Sequence, residues 1–151
     1  MALTFCLRGA AFAFAAALIA APAFADGSQV AQVKTASGAA SVMRDGKASA
    51  VKPGDALYEK DTLQTGADGS IGITFTDDSV LSLGPNSEAA LSQYNFDSSN
   101  FKGTMLTDLR KGTASMVSGD IARSSPSAMK VRTPTATLAV RGTSFAIQVG
   151  Q

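Results

Sequence analysis

The stretch Ser70-Ile71-Gly72-Ile73-Thr74-Phe75-Thr76-Asp77-Asp78-Ser79-Val80-Leu81-Ser82-Leu83 decides the fold class. Ile71, Ile73 and Phe75 alternate with Ser70, Gly72 and Thr74. An extended strand sends successive side chains to opposite faces, so the three apolar residues share one face. Thr76 to Ser79 is polar and turn-forming. Val80 to Leu83 then runs back with Leu81 and Leu83 inward. Period two on both sides of a polar reversal reads as strand, turn, strand.

The same rhythm extends outward. Upstream, Gly66-Ala67-Asp68-Gly69 is a turn and Thr62 to Thr65 a four-residue strand. Glu59-Lys60-Asp61 is charged and exposed, and Pro53-Gly54-Asp55 is another turn. Asp45-Gly46 is a strong hairpin signal between Ser41–Arg44 and a return strand over 47–52. A strand begins at Gln29, with Val30 and Val33 out of clean alternation, and 35–40 reads as a loop. Downstream, Gly84-Pro85-Asn86 turns the chain, and Ala89 and Leu91 resume the alternation. Residues 93–103 read as a strand, a polar loop and a return strand. Thr104 to Leu109 is a strand that Arg110-Lys111-Gly112 turns, and 118–127 is a polar, proline-containing loop. About ten short strands and no amphipathic helix make the chain all-β. Short strands separated by Gly/Asp turns suit a β-solenoid, in which each coil buries its apolar face on the next; a β-sandwich is the alternative.

The last third closes the fold. Val131 and Thr133 lead into a strand, Pro134 interrupts ladder pairing because it has no N–H, and Thr135 to Val140 is β-branched and apolar. Arg141-Gly142-Thr143 breaks the run. Phe145, Ile147 and Val149 alternate with Ala146 and Gln148. The stretch serves as a closing hairpin of the core; Arg141 and its flanking threonines, Thr143 among them, are candidates for a recognition ridge.

These pieces, taken in order, resemble the FecR-domain family. The resemblance lies in Pro53-Gly54-Asp55 before Asp61-Thr62-Leu63-Gln64-Thr65, then Ser70 to Phe75 with Asp77 to Leu83 and Gly84-Pro85-Asn86. It continues in Leu109 to Gly112, Thr133-Pro134-Thr135-Ala136 and Ala139 to Phe145, and spans roughly 29–149. It implies a β-solenoid-like core outside the cytoplasmic membrane. It also implies a relay from an outer-membrane transporter to a membrane-bound sigma-factor regulator, typically for iron uptake. This chain departs from that pattern in having only a few residues before its first apolar run, with no cytoplasmic sigma-binding region. The resemblance therefore supports the domain and not the full relay.

That apolar run, 9–21, follows a single charge, Arg8, and leads to Ala23-Phe24-Ala25. The small-x-small pattern predicts a signal peptide over 1–25, cut between Ala25 and Asp26, and export of 26–151 to the periplasm as one domain. The run is short against the roughly 20 residues a spanning helix needs, so the processed chain does not span the membrane.

Of the 151 residues, 13 are Lys or Arg and 12 are Asp or Glu. Without Arg8 the two signs balance, and the basic stripe that nucleic acid demands is missing. The chain has no histidine and no tryptophan, and its one cysteine, Cys6, leaves with the signal. The usual general base, the commonest metal ligand and the thiol are therefore absent, which argues against catalysis, ordinary zinc sites and any cofactor. Asp77-Asp78 is a neighbouring pair that points to opposite faces of a strand, and no calcium-loop spacing accompanies it. Two readings remain. The first is a periplasmic protein-interaction or sensor module that resembles the FecR signalling domain. It would use an open strand edge near Gln148, capped by an envelope protein such as a membrane receptor or regulator, or by a second copy. The second is a structural or glycan-binding envelope protein, with Tyr94, Phe96 and Phe101 as an aromatic rim.

Overall fold

The structure, a computed structural model, describes residues 27–142 and 144–150. The signal-peptide reading, its junction at Ala25 and Asp26, and the candidate Thr143 lie outside the described residues. In chain order the strands are β1 (Gln29–Ser37), β2 (Ala40–Arg44), β3 (Lys47–Ala50), β4 (Ala56–Tyr58), β5 (Thr62–Thr65) and β6 (Ser70–Phe75). They continue as β7 (Val80–Leu83), β8 (Glu88–Asp97), β9 (Lys102–Val117), β10 (Met129–Arg132), β11 (Thr137–Ala139) and β12 (Ser144–Val149). A single helical turn, α1 (Asp120–Ser124), follows β9.

All twelve strands join one curled, half-barrel sheet in the order β3-β2-β5-β8-β9-β7-β6-β1-β4, with β10 and β12 also on β9 and β11 on β10. Every ladder is antiparallel except β9 with β10. The tight turns cause this: Asp45-Gly46, with φ of 50° and 77°, returns β2 directly into β3. The ladders thus belong to one largely antiparallel sheet. One sheet curls until its halves face each other. Leu63, Ala89 and Leu91 from one half join Val33, Ile71, Ile73, Phe75, Leu81 and Met116 from the other in a single core.

Strand β9 makes the curl. Its first half pairs with β8 and β10, its second half with β7 and β12. The expected turn at Arg110-Lys111-Gly112 is instead a bulge inside a continuous strand. Leu109 is buried before it and Ala114 and Met116 after it, so the inward parity switches by one residue there. Gly112 sits at φ +84°, and a Cβ on it would overlap Ser87. Ser87, fully buried, receives the Thr113 N–H at 2.9 Å and donates to the Thr113 carbonyl at 3.1 Å, which pins the bulge.

The expected loop over 35–40 is largely strand, because β1 runs on to Ser37 against β6. Register shifts along β1 explain why Val30 and Val33 break the alternation. Helix α1 also falls where a loop is expected. Its five residues carry no apolar stripe long enough to read, and it forms because distant groups satisfy its first N–H groups.

Candidate functional site

Helix α1 is held by the turn between β6 and β7. Asp77 is completely buried, and its carboxylate accepts four hydrogen bonds. They come from the Ser79 N–H at 3.2 Å, the Ser79 hydroxyl at 2.7 Å, the Tyr94 hydroxyl at 3.3 Å and the Ile121 N–H at 3.3 Å. The Asp77 carbonyl accepts the Asp120 N–H at 2.8 Å, and the Ser79 hydroxyl oxygen accepts the Gly119 N–H at 2.9 Å. A Cβ on Gly119 would overlap the Asp77 carbonyl, so the approach requires glycine. A carboxylate facing the first turn of a helix satisfies donors that the helix itself cannot. Asp77 and Ser79, steadied by Tyr94, therefore act as a cap supplied from 40 or more residues away in sequence.

Tyr94 belongs to this cluster and not to an exposed rim. Its ring stacks on Phe75 with centroids 5.3 Å apart, and it is 9% exposed. Its hydroxyl lies 2.8 Å from the Thr76 hydroxyl and accepts the Asp77 N–H at 3.0 Å. Burial pushes its phenol well above the usual range, so it remains a proton donor to Asp77. Phe96 is half-buried and packs against the core. Of the three aromatic candidates only Phe101 is free, 53% exposed at the tip of the β8–β9 hairpin. Its φ is +57°, a conformation uncommon for a bulky residue.

The fold brings Phe101 and Arg141 to the two ends of α1. The Ser118 hydroxyl, two residues before α1, donates to the Gly142 carbonyl. The Ser124 hydroxyl, at its end, donates to the Phe101 carbonyl. Arg141 is exposed beside Gly142, and Arg123 is exposed on α1 itself, bridged to Asp120 at 3.2 Å. Exposed aromatic and arginine side chains are the residue types that anchor protein interfaces. Gln148 is exposed on β12, opposite Thr113 of β9, and belongs to a separate surface.

Two further charged pairs are structural. The buried Asp61 carboxylate accepts from Arg44 at 2.7 and 2.6 Å and from the Tyr58 N–H at 2.9 Å. The Arg44 guanidinium also lies 4.5 Å over the Tyr58 ring. Asp61, read as an exposed charge, is 1% exposed because this partner follows it inward. Burial raises the pKa of Asp108, but hydrogen bonds from Arg132 and Ser92 and the Arg132 charge outweigh it and hold the carboxyl below its usual range. Asp68 receives the Ala39 N–H at 3.3 Å and serves its turn.

Sequence comparison bears directly on this surface: residues 61–151, well over half of the chain, match the family described as FecR protein. The chain belongs to the FecR family. Neither a curated protein nor a solved structure matches it. The matched segment of this FecR-family chain begins at the buried Asp61 and takes in β5 to β12, α1 and the whole Asp77 cluster. Strands β1 to β4 lie outside it, yet they complete both ends of the same sheet. Among the described residues, no helix is long and apolar enough to cross a membrane.

Proposed function

We propose that this chain is a non-enzymatic protein-interaction and sensor module of the periplasm, acting in envelope signal transduction as FecR domains do. The observation that carries the reading is the α1 surface. There a family-matched segment presents exposed Arg123 on a turn fixed by a buried hydrogen-bonded cluster, with the backbone beside exposed Phe101 and Arg141 hydrogen-bonded at its two ends. Rigid placement lowers the entropy lost on binding, which suits a recognition surface. The apolar run over 9–21 and the Ala25–Asp26 junction supply export, with the processed chain free of the membrane. Its partner is an envelope protein, a membrane receptor or regulator, and not nucleic acid. The glycan reading loses its rim, since Tyr94 is spent inside the fold.

A photoreactive residue at position 101, expressed in cells, tests this reading. The expected result is one discrete adduct with an envelope membrane protein, lost when Arg141 is replaced by Glu. Adducts with cell-wall material alone would return the weight to a structural role. Amino-terminal sequencing of the protein from the periplasmic fraction should begin at Asp26; a start at Met1 in the membrane fraction contradicts export by cleavage.

A further inference from the structure

A cleft of about 370 Å³ opens where β1 starts. Gly27 and Ser28, just ahead of β1, form part of its wall, and Tyr58, Glu59, Tyr94 and Phe96 form much of the rest. Gly27 lies against Tyr58, since a Cβ on it would stand 3.5 Å from the Tyr58 Cδ1. In the β1–β4 ladder Gln29 is opposite Tyr58, and the same register carried one step on sets Ser28 beside Glu59. Glu59 is exposed and is the one lining residue with a formal charge at neutral pH. Burial keeps the Tyr94 phenol protonated, and the Arg44 guanidinium over Tyr58 is already bound to Asp61. Lys60, next to Glu59, is not part of the wall. Aromatic walls with a single carboxylate suit an ammonium group.

We propose that the α-ammonium group of Asp26, created when the leader is cut after Ala25, occupies this cleft and pairs with Glu59. The inference rests on the export reading above. Asp26 directly precedes Gly27, so connectivity names the occupant. Adjacent Cα atoms are about 3.8 Å apart and the amine adds one bond, which keeps the ammonium within about 5 Å of the Gly27 Cα. Gly27 and Glu59 share one cleft, so the ammonium and the carboxylate meet there. An uncut chain has a neutral peptide bond at this point and offers no charge. Processing therefore adds a contact that the precursor lacks. It clamps the start of β1, the strand that joins β4 to β6 in the sheet. A carboxylate beside an ammonium favours the charged form, so the folded amine pKa is raised above its usual value of about 7.7–8.0. The stabilisation is full below the unfolded value and is lost as pH rises through the folded one.

The test is an NMR titration of the α-amino group in protein recovered from the periplasm after expression of the full chain, with Glu59→Gln prepared alongside. Amino-terminal sequencing comes first. The expected result is a chain that begins at Asp26, an amine pKa above the usual range, and a fall of at least about half a unit in Glu59→Gln. The Asp26 carboxylate acts on the amine in both proteins, so the difference isolates Glu59. The gap in melting temperature between the two proteins, present at neutral pH, should close once the amine is deprotonated. A chain that begins at Asp26 and whose amine titrates alike with and without Glu59 overturns the inference and leaves the export reading standing. A chain that begins anywhere else overturns the export reading and the inference with it.

Discussion

Asp77-Asp78-Ser79 and Asp97-Ser98-Ser99 carry one local device in two settings. In each, an aspartate carboxylate accepts from the N–H and the hydroxyl of the serine two residues on. The hydroxyl distances are 2.7 Å for Asp77 and 2.5 Å for Asp97. Asp97 gains only the Asn100 side chain at 2.8 Å and remains in solvent. Asp77 gains Tyr94 and Ile121 and is sealed from water. Turn chemistry is therefore local, and its energetic weight is set by what packs over it. In water the lost bonds are replaced at once; inside the protein they are not.

The largest expected effect breaks the buried member. Asp77→Ala leaves the Ser79, Tyr94 and Ile121 donors without an acceptor, at a cost of about 4 kcal/mol, since each buried unsatisfied group costs roughly 1–3 kcal/mol. Urea unfolding followed by circular dichroism measures it. A loss under about 1 kcal/mol would mean that water enters the cluster. Tyr94→Phe removes one hydroxyl and keeps the Phe75 stack, so about 1.5 kcal/mol should go, by the same assay.

Thr107→Val sharpens the comparison from the other side. Thr107 is buried in β9 and its hydroxyl has no hydrogen-bond partner. An isosteric methyl there should stabilise the chain by about 1 kcal/mol, seen as a higher urea midpoint.

Asp108 lies between the extremes, partly buried beneath an exposed Arg132. Its folded pKa is below its unfolded value, so the stabilisation is full above the unfolded pKa. It is lost as pH falls through the folded value. Asp108→Asn should cost no more than about 1 kcal/mol at neutral pH and flatten the stability profile in the acid range below pH ~4. Smallest is Asp97→Ala, which should leave the unfolding midpoint where it is. The Ser99 hydroxyl and N–H hold the Asp97 carboxyl below its usual range. An NMR titration should therefore show that carboxyl still ionised where an unstructured aspartate is half protonated.

Much of this contrast is invisible from residues alone. Both Asp-x-Ser triplets read as turns, and both are turns; nothing nearby says which one is roofed by α1. Tyr94 and Phe101 look alike as aromatics among polar neighbours. Tyr94 falls at an inward position of β8 beside Phe75, while Phe101 falls at the hairpin tip. The device that ties the Phe101 and Gly142 backbones to its two ends is α1, a five-residue helix capped from the β6–β7 turn, and no local pattern announces it.

The amino-acid sequence by itself determined the class of structure. Alternation over 70–75 and 80–83, Asp45-Gly46, and the glycine and proline turns dictate short strands and their ends, because backbone preference and side-chain period act within a few residues. It also carried the FecR signature. Only the tertiary structure decided that β9 runs through Gly112 and curls one sheet around a single core, and that Asp61 and Asp77 lie inside. Those outcomes depend on contacts between residues far apart in the chain. A bulge or a buried carboxylate exists only once its neighbours are in place.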